Sequence, residues 1–560
     1  MKYLITSALP YINGVKHLGT LIGCLLPADV YARFLRLNGN EVLFISGTDE
    51  HGTPAEIAAK KENITVEEYC DKWYKIQKNL VDGFDISCDY FGRTSDEENE
   101  ELTLYFAKRL KENGFLEERT IKQIYSIDDN MSLADRYIEG TCPKCGSNRA
   151  RGDQCDNCGA LLDPTDLIDP YSTISGSHNL EVRETKHLYL KQSMFVDELK
   201  KWVKDNKDWP DVVKTIALDW LESRGLEDRC ITRDLKWGIK VKDWKDLEDK
   251  VFYVWFDAPI GYLSMSKKWS RLNPQKTDWK EFWYNAQDVK YIQFMGKDNV
   301  PFHAINFPIT ILGSREPWKL VDYIKGLYWL NYYNDKFSTS RHYGIFMDEA
   351  LKLYPSDYWR YYLMSRIPEN KDSNFTWEDF ADVINKDLAD VLGNFINRSF
   401  TMINKNFSNV SEIINSNNFE KIDLDYRDKL TSLLSEYKKS FETLELRKAV
   451  SSLRACWCLG NEYISEVQPW TIKEDKNRLA TIFNNILLFM AVYTVISEPI
   501  IPEISAKLYF SLNLSANFSE IVNGKFSSIV INSVKKPDIF IQKITDEKII
   551  EFKNKFGSNE

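Results

Sequence analysis

Two Cys-x-x-Cys hooks, Cys142 with Cys145 and Cys155 with Cys158, constrain this chain more than any other feature. A polar, Gly-containing loop of nine residues separates them. Four thiolates at this spacing close a tetrahedral shell, and a short segment with almost no apolar residues has little else to fold around. The pattern predicts one structural Zn²⁺ ion on Cys142, Cys145, Cys155 and Cys158. Two disulfides are the competing reading. Against them stand the lack of a secretory n-region or h-region and the scatter of the other six cysteines. Four thiolates leave no open coordination position, so the metal is expected to be architectural and any catalysis to lie elsewhere. The knuckle reads as something small inserted into something large.

At 560 residues the chain has room for three or four domains, taking about 150 residues for each. Aromatic residues make up 13 %, which excludes disorder and favours packed surfaces or flat-ligand pockets. The net charge of −10 excludes a global basic field, so any RNA contact must be a local patch. The longest apolar run, Ile486 to Ile496, is far shorter than the roughly 20 residues of a membrane span and reads as a buried helix. The opening residues are broken by Pro10 and Asn13-Gly14, unlike a signal or transit peptide. A cytoplasmic protein with reduced cysteines and no membrane partner is expected.

Lys2 to Leu9 has strand character, Pro10 to Lys16 is turn-rich, and an apolar helical pattern runs from Leu18 to Asn38. Glu41 to Ser46 then reads as a parallel strand buried on both faces, ending in GTDEHG, Gly47 to Gly52. Val289 to Met295 is a second such strand, followed by GKDN from Gly296. Polar turns beyond the carboxyl ends of such strands are where doubly wound sheets bind ligands. From about Asp382 the pattern changes to long helices. Leu388, Val391, Leu392, Phe395, Ile396 and Phe400 form one stripe, and further stripes run through 427–465 and 478–496. Asn554 to Glu560 read as a loose end. The expected class is α/β: a Rossmann-like parallel-sheet catalytic domain split by a zinc-binding insertion, then an all-α helical bundle.

His17-Leu18-Gly19-Thr20 lies where a loop feeds the first helix, a place that attracts phosphate. Gly19 lets a ligand approach the backbone, while the imidazole and hydroxyl can donate to oxygens that gain charge in a transition state. A capping His beside a helix Gly is the plainer reading. Gly14 to Thr20 nearly spells a P-loop but lacks the Lys before the hydroxyl residue, which excludes an ordinary P-loop nucleotidase. Far downstream, Lys336-Phe337-Ser338-Thr339-Ser340-Arg341 forms a polar loop. With the GTDEHG and GKD turns, the two segments compose a two-sided phosphate cradle, Lys336 or Arg341 offsetting polyphosphate charge.

On HLGT, KFSTS and the more specific WFDAPIGY (Trp255 to Tyr262) and FMGKDNVPFH (Phe294 to His303), the chain closely resembles the methionyl-tRNA synthetases, class I aminoacyl-tRNA synthetases, over nearly its whole length. The resemblance implies a catalytic domain at 1–115 and 233–321, a connective insertion with the zinc knuckle at 116–232, a stem-contact region with the KFSTS loop at 322–382, an anticodon-binding bundle at 383–535 and a tail at 536–560. It also implies activation of L-methionine by ATP, with Mg²⁺, to methionyl-adenylate and pyrophosphate. Methionine then passes to the 3′-terminal adenosine of tRNA(Met), for translation initiation and elongation.

By the same resemblance Leu9, Tyr11, Asp49, Trp255, Ala258, Pro259, Tyr262 and His303 form the methionine pocket. ATP falls to His17, Gly19, Thr20, Gly296, Asp298, Lys336 and Thr339, of which His17, Thr20, Lys336 and Thr339 are the catalytic set. Asn394, Arg398 and Trp470 read the anticodon. Their chemistry suits those roles: an aromatic wall fits a thioether, Asp49 pairs with an ammonium, and Asn, Arg and Trp bond to or stack on unpaired bases. Two positions depart from the family pattern. Thr20 stands where His or Asn is usual, and Thr339 stands for a Lys, leaving Lys336, Arg341 or Lys297 to serve as the phosphate cation. Another class I synthetase is the nearest alternative, although the insertion leaves little room for an editing domain. A non-catalytic zinc-containing RNA-binding protein is the more distant one. With no dimerising domain after the bundle, a monomer is expected.

Overall fold

A computed structural model of the chain describes residues 1–133, 137–148, 150–152, 155, 157–158, 160, 162–222, 225–339, 342–472, 474–538 and 541–557. Its centre is a five-stranded, wholly parallel sheet made of β1 (Lys2–Ser7), β2 (Glu41–Thr48), β3 (Tyr90–Arg93), β4 (Val289–Gly296) and β5 (Tyr323–Leu327), in the order β5-β4-β1-β2-β3. Lys2 faces Val289 on one side and Glu41 on the other, so β1 and β4 pair in register although the whole insertion lies between them. This is the doubly wound order, and the crevice outside the carboxyl ends of β1 and β4 is its switch point. The buried runs LITS, LFISGT and YIQFM explain the class: strands covered on both faces must be apolar throughout.

Helix α1 (Leu18–Leu37) returns from β1 to β2. Its first turns include a π-helical stretch, Leu21–Leu25. Helix α2 (Val254–Leu272) packs against β2 and β3. The insertion is built on a long antiparallel pair, Leu116–Ser126 with Leu180–Leu190, beyond which the knuckle folds as a three-stranded sheet with its own core of Ile124, Leu133, Ile138, Cys142, Ala150, Cys155 and Leu167.

The C-terminal bundle comprises α3 (Asn394–Asn406), α4 (Lys421–Glu442), α5 (Leu446–Val467) and α6 (Lys476–Ser497). The stripes read through 427–465 fall on the two helices α4 and α5. Leu444, in a left-handed conformation at φ +57°, turns the chain between them. Both α1 and α6 are apolar enough to cross a membrane by composition, yet 78 % and 94 % of their apolar windows are buried inside the protein.

The bundle is fastened to the sheet by buried ionic groups. Arg360 and Asp29 are both fully buried and bonded at 2.7 Å. The same guanidinium donates to the carbonyls of Phe84, Pro499 and Ile500 at 2.9 Å each. One side chain thus ties α1 to the far end of α6. Glu369 accepts from the Leu446 and Arg447 amides, capping α5, while pairing with Lys325 of β5 at 2.8 Å.

The end of the chain is not loose, as far as it is described. A helix spans Asp546–Phe556, its Phe552 and Phe556 pack on Trp377 at 4.5 and 5.5 Å, and the Tyr332 hydroxyl donates to the Gly557 carbonyl. Residues Asn554 to Phe556, expected to be free, are held because Trp377 and Tyr332 offer them an aromatic shelf that local sequence does not reveal.

Candidate active site

His17 caps α1 from the crevice side: its Nδ1 accepts from the Thr20 amide at 3.1 Å. That bond commits the Nδ1 lone pair, so the neutral ring carries its proton on Nε2 and remains a donor. Burial, with Lys16 beside it, pushes the His17 pKa down to about 4, so the ring is uncharged at neutral pH. A Cβ on Gly19 would lie 3.0 Å from His17 Nδ1 and 3.4 Å from the Phe337 ring, which is why glycine stands there.

Phe337, the second residue of KFSTS, stacks on the His17 imidazole with centroids 5.0 Å apart and planes 24° from parallel. The backbone joins them as well. The Leu18 amide donates to Ile345 and the Met347 amide to Lys16, at 3.0 and 2.9 Å. The structure therefore brings together the two polar segments of the proposed cradle. Lys336 Nζ lies over the Trp329 ring, 3.6 Å from its centroid, and Trp329 Nε1 donates to Asp298 Oδ1 at 3.4 Å. Gly296 lets the Asp298 carboxylate fold close over the same turn, where a Cβ would fall 2.7 Å from Oδ1. Lys297 pairs with Asp372 at 3.0 Å. Thr339 is exposed on its loop, with the His342 amide donating to its carbonyl at 3.3 Å; Arg341 and Ser340 lie outside the described residues.

Beside this crevice is a cavity of about 80 Å³ lined by Leu9, Asp49, Trp255, Ala258, Pro259, Tyr262 and His303 together with Ala8, Asn299 and Phe302. Trp255, Ala258, Pro259 and Tyr262 come from one stripe of α2, at i, i+3, i+4 and i+7. Tyr11, expected in the wall, is set behind it: its hydroxyl donates to the His51 carbonyl at 2.8 Å and its backbone bridges Asp49. Asn299 and Phe302 were overlooked although both stand within the FMGKDNVPFH segment. Tertiary placement selects them, because a short 3₁₀ turn at Lys297–Asn299 and a π-helical stretch at Phe302–Asn306 aim them inward.

The cavity is polar at two points. His303 Nδ1 donates to the Asn299 carbonyl at 2.9 Å, which leaves Nε2 to accept from the Tyr262 hydroxyl at 2.8 Å. Burial holds His303 down at about 4, hence neutral. Three carboxylates cluster at the other point. Glu50 accepts from Arg93 Nε at 2.9 and 3.1 Å, and Asp257 Oδ2 is hydrogen-bonded to His51 Nδ1 at 2.7 Å. Asp49 Oδ1 is shut off from solvent and, among the described residues, has no hydrogen-bond partner. Burial, then repulsion from Asp257 and Glu50, pushes the Asp49 pKa well up. Asp257 Oδ1 is likewise buried without a partner, but of the three acids Asp49 is the one that lines the cavity and can meet an entering cation.

Lys16, immediately before His17, is drawn into the fold. It is 7 % exposed, and its Nζ donates to the backbone and side-chain oxygens of Asn13, each at 2.9 Å.

In the knuckle the nearest sulfur pairs are Cys142–Cys158 at 3.9 Å and Cys145–Cys155 at 3.7 Å, and all four Sγ atoms lie within 4.8 Å of one another. Disulfide sulfurs would be about 2 Å apart. A tetrahedral shell with about 2.3 Å metal–sulfur bonds has edges near 3.8 Å. The four thiols fit a metal ion.

In the bundle, Asn394 is exposed on α3 and Arg398 half-buried one turn on. The Arg398 guanidinium lies 5.6 Å from the Trp470 ring centre. Trp470 lies in a single 3₁₀ turn, Pro469–Thr471, after α5 ends in the left-handed Gln468. It is 51 % exposed, too open for a core residue. The three expected readers share one surface.

A family model described as "tRNA synthetases class I (M)" matches residues 3–400, the whole of the sheet, insertion and signature segments. Fold and site thus define a class I aminoacyl-tRNA synthetase. A second model, "Anticodon binding domain of methionyl tRNA ligase", matches residues 415–560. The chain is 49 % identical over 572 residues to the methionine–tRNA ligase of Streptomyces avermitilis, with 99 % of each covered. It is 49 % identical over 573 residues to that of Caulobacter sp. strain K31, with 100 % of each covered. The chain belongs to the methionine–tRNA ligase family. Its fold matches that of Mycobacterium tuberculosis methionyl-tRNA synthetase bound by methionyl-adenylate, at TM-score 0.76 and 22 % identity over 96 % of this chain and 99 % of that one.

Proposed function

We infer that this chain joins L-methionine to tRNA(Met) in two steps, and that the residues above divide the work as follows. The observation that carries the reading is the buried Asp49 carboxylate, whose Oδ1 has no hydrogen-bond partner among the described residues, in a largely aromatic cavity beside the crevice where the two signatures meet. Methionine binds with its ammonium on Asp49 and its thioether among Leu9, Trp255, Ala258, Pro259 and Tyr262, with His303 fixing the Tyr262 hydroxyl. Tyr11 supports this wall from behind.

ATP enters as its Mg²⁺ complex, held by His17, Gly19 and Thr20 on the phosphates and by Gly296 and Asp298 near the ribose. A methionine carboxylate oxygen attacks the α-phosphorus in line. The bond to the β,γ-pyrophosphate breaks, and pyrophosphate leaves with its Mg²⁺. No protein nucleophile takes part. His17, as a neutral Nε2–H donor, and Lys336 stabilise charge on the phosphate oxygens, and Thr20 and Thr339 offer hydroxyls. The terminal adenosine hydroxyl of tRNA then displaces AMP.

The metal of Cys142, Cys145, Cys155 and Cys158 is proposed to be Zn²⁺, whose bonds supply folding energy to a knuckle with a very small apolar core. Asn394, Arg398 and Trp470 receive the anticodon. The functional division of the chain follows the limits read from sequence, in a cytoplasmic monomer. An amino-acid panel in ATP–pyrophosphate exchange tests the reading. Methionine should be the sole strong substrate; exchange driven better by leucine, isoleucine, valine or cysteine, or by none, overturns it.

A further inference from the structure

Arg229 brings the insertion up to the wall of the amino-acid cavity. Arg229–Cys230 pairs antiparallel with the insertion strand Leu180–Leu190, Arg229 facing Leu190. The chain continues into Thr232–Arg233, which pairs antiparallel with Val251–Phe252, and the Tyr253 amide donates to the Ile231 carbonyl at 2.9 Å. Tyr253 caps α2. The same pairing, carried towards that helix, sets Arg229 beside Trp255.

The side chains meet as a ladder. Arg233 lies over the Tyr253 ring at 3.9 Å, and Arg229 over Tyr253 at 5.8 Å and over Trp255 at 4.8 Å. Trp255 packs in turn against Phe302, with centroids 4.5 Å apart, and both of these rings line the cavity. Among the described residues Arg229 forms no ion pair, and the adjacent acid, Asp228, is taken by Arg119 and Ser193 at 2.5 and 2.7 Å. The guanidinium charge therefore faces rings, of which indole is the best partner for a cation. Trp255 needs such a neighbour. It stands in the first turn of α2 and is only half-buried, so no preceding helical turn lies under its side chain. Contacts from outside the helix, Phe302 and Arg229, set its angle over the cavity.

We propose that Arg229 is a positioning residue for methionine: it holds the Trp255 indole in the wall that receives the thioether, and so makes the insertion part of the amino-acid site. It touches no substrate and takes no part in bond making. This rests on the methionine-activating reading, and the two fail separately. A wild-type chain without methionine-dependent exchange overturns that reading, whereas Arg229 is judged by comparing variants of an active chain.

Arg229→Met keeps an apolar stem and removes the charge. The methionine KM in pyrophosphate exchange should rise about tenfold, the size of a partly desolvated cation–π contact, with kcat and the ATP KM within about threefold of wild type. A residue that merely supports the fold would move all three. Arg229→Lys keeps a cation, and its methionine KM should lie at least about threefold below that of Arg229→Met. In a Trp255→Leu background, Arg229→Met should change the methionine KM by less than about twofold, because the ring it acts through is gone. If Arg229→Met does not fold, Arg229→Gln takes its place in the same comparisons. The proposal is overturned by a methionine KM close to that of wild type, by an Arg229→Lys variant no better than Arg229→Met, or by an equal rise in the Trp255→Leu background. Impaired tRNA charging with the methionine KM unchanged would make Arg229 a phosphate contact, and overturns it too.

Discussion

Phe337 stacks on His17 at 5.0 Å, and through that contact a loop after the last sheet strand closes on the turn after the first. The cradle is one packed unit, in which Gly19 is small so that both rings fit and Lys336, next to Phe337, is carried along.

Lys336→Ala should lower methionine-dependent pyrophosphate exchange by about 100-fold or more, as expected for a lost phosphate contact in the transition state. Its methionine KM should change little, because the Asp49 cavity is untouched. Exchange kinetics decide it, and a rate within a few-fold of wild type would remove Lys336 from the machinery.

Asp49→Asn keeps the shape of the side chain and removes its charge. The methionine KM should rise by about two orders of magnitude, in line with about 2–5 kcal/mol for a buried charge pair broken on one side. Folding should be unharmed, since burial already disfavours the carboxylate. A methionine KM unchanged from wild type would place the ammonium elsewhere.

His303 gives a pH dependence of defined sign. Its folded pKa of about 4 lies below the ordinary value of 6.5, so between these pH values the unfolded chain takes up a proton that the folded one refuses. The resulting stability is fully present above pH 6.5 and is lost as pH falls towards 4, to a limit of about 3 kcal/mol. Thermal melts at pH 7 and pH 4 should show a larger drop in Tm for wild type than for His303→Gln. Equal drops would mean that the imidazole is not held neutral.

Cys145→Ser should abolish stoichiometric zinc, measured by elemental analysis, and lower the Tm. Charging of tRNA should suffer before adenylate formation, because the knuckle has a core separate from that of the sheet. Loss of exchange ahead of charging would contradict a purely architectural metal.

Trp470→Ala removes an exposed ring and the plane under Arg398. Aminoacylation of tRNA should fall at least about tenfold, within the ~1–3 kcal/mol range of a base–aromatic stack. Exchange without tRNA should stay within twofold; a matching loss in both assays would mark a structural residue.

The sequence by itself determined three of the five sheet strands, the metal hooks and the helical bundle, while the pocket wall was named through the family resemblance. These depend on local pattern: runs of apolar residues, a two-residue gap between thiols, a stripe at i, i+3, i+4 and i+7. Signature segments also carry their chemistry in their residue types. The tertiary structure alone decided which of these groups meet and which remain without a partner. Asp49, Glu50 and Asp257 do not differ in residue chemistry, and only packing pairs Glu50 with Arg93 and places Asp49, with an unpartnered Oδ1, on the cavity wall. Lys16 reads as an ordinary surface lysine until packing removes it from water. No local pattern shows that α5 stops at Gln468 and leaves Trp470 exposed, and Asn554 to Phe556 read as part of a loose end until Trp377 receives Phe556. Burial and pairing are sums over residues far apart in the chain, and local patterns do not carry them.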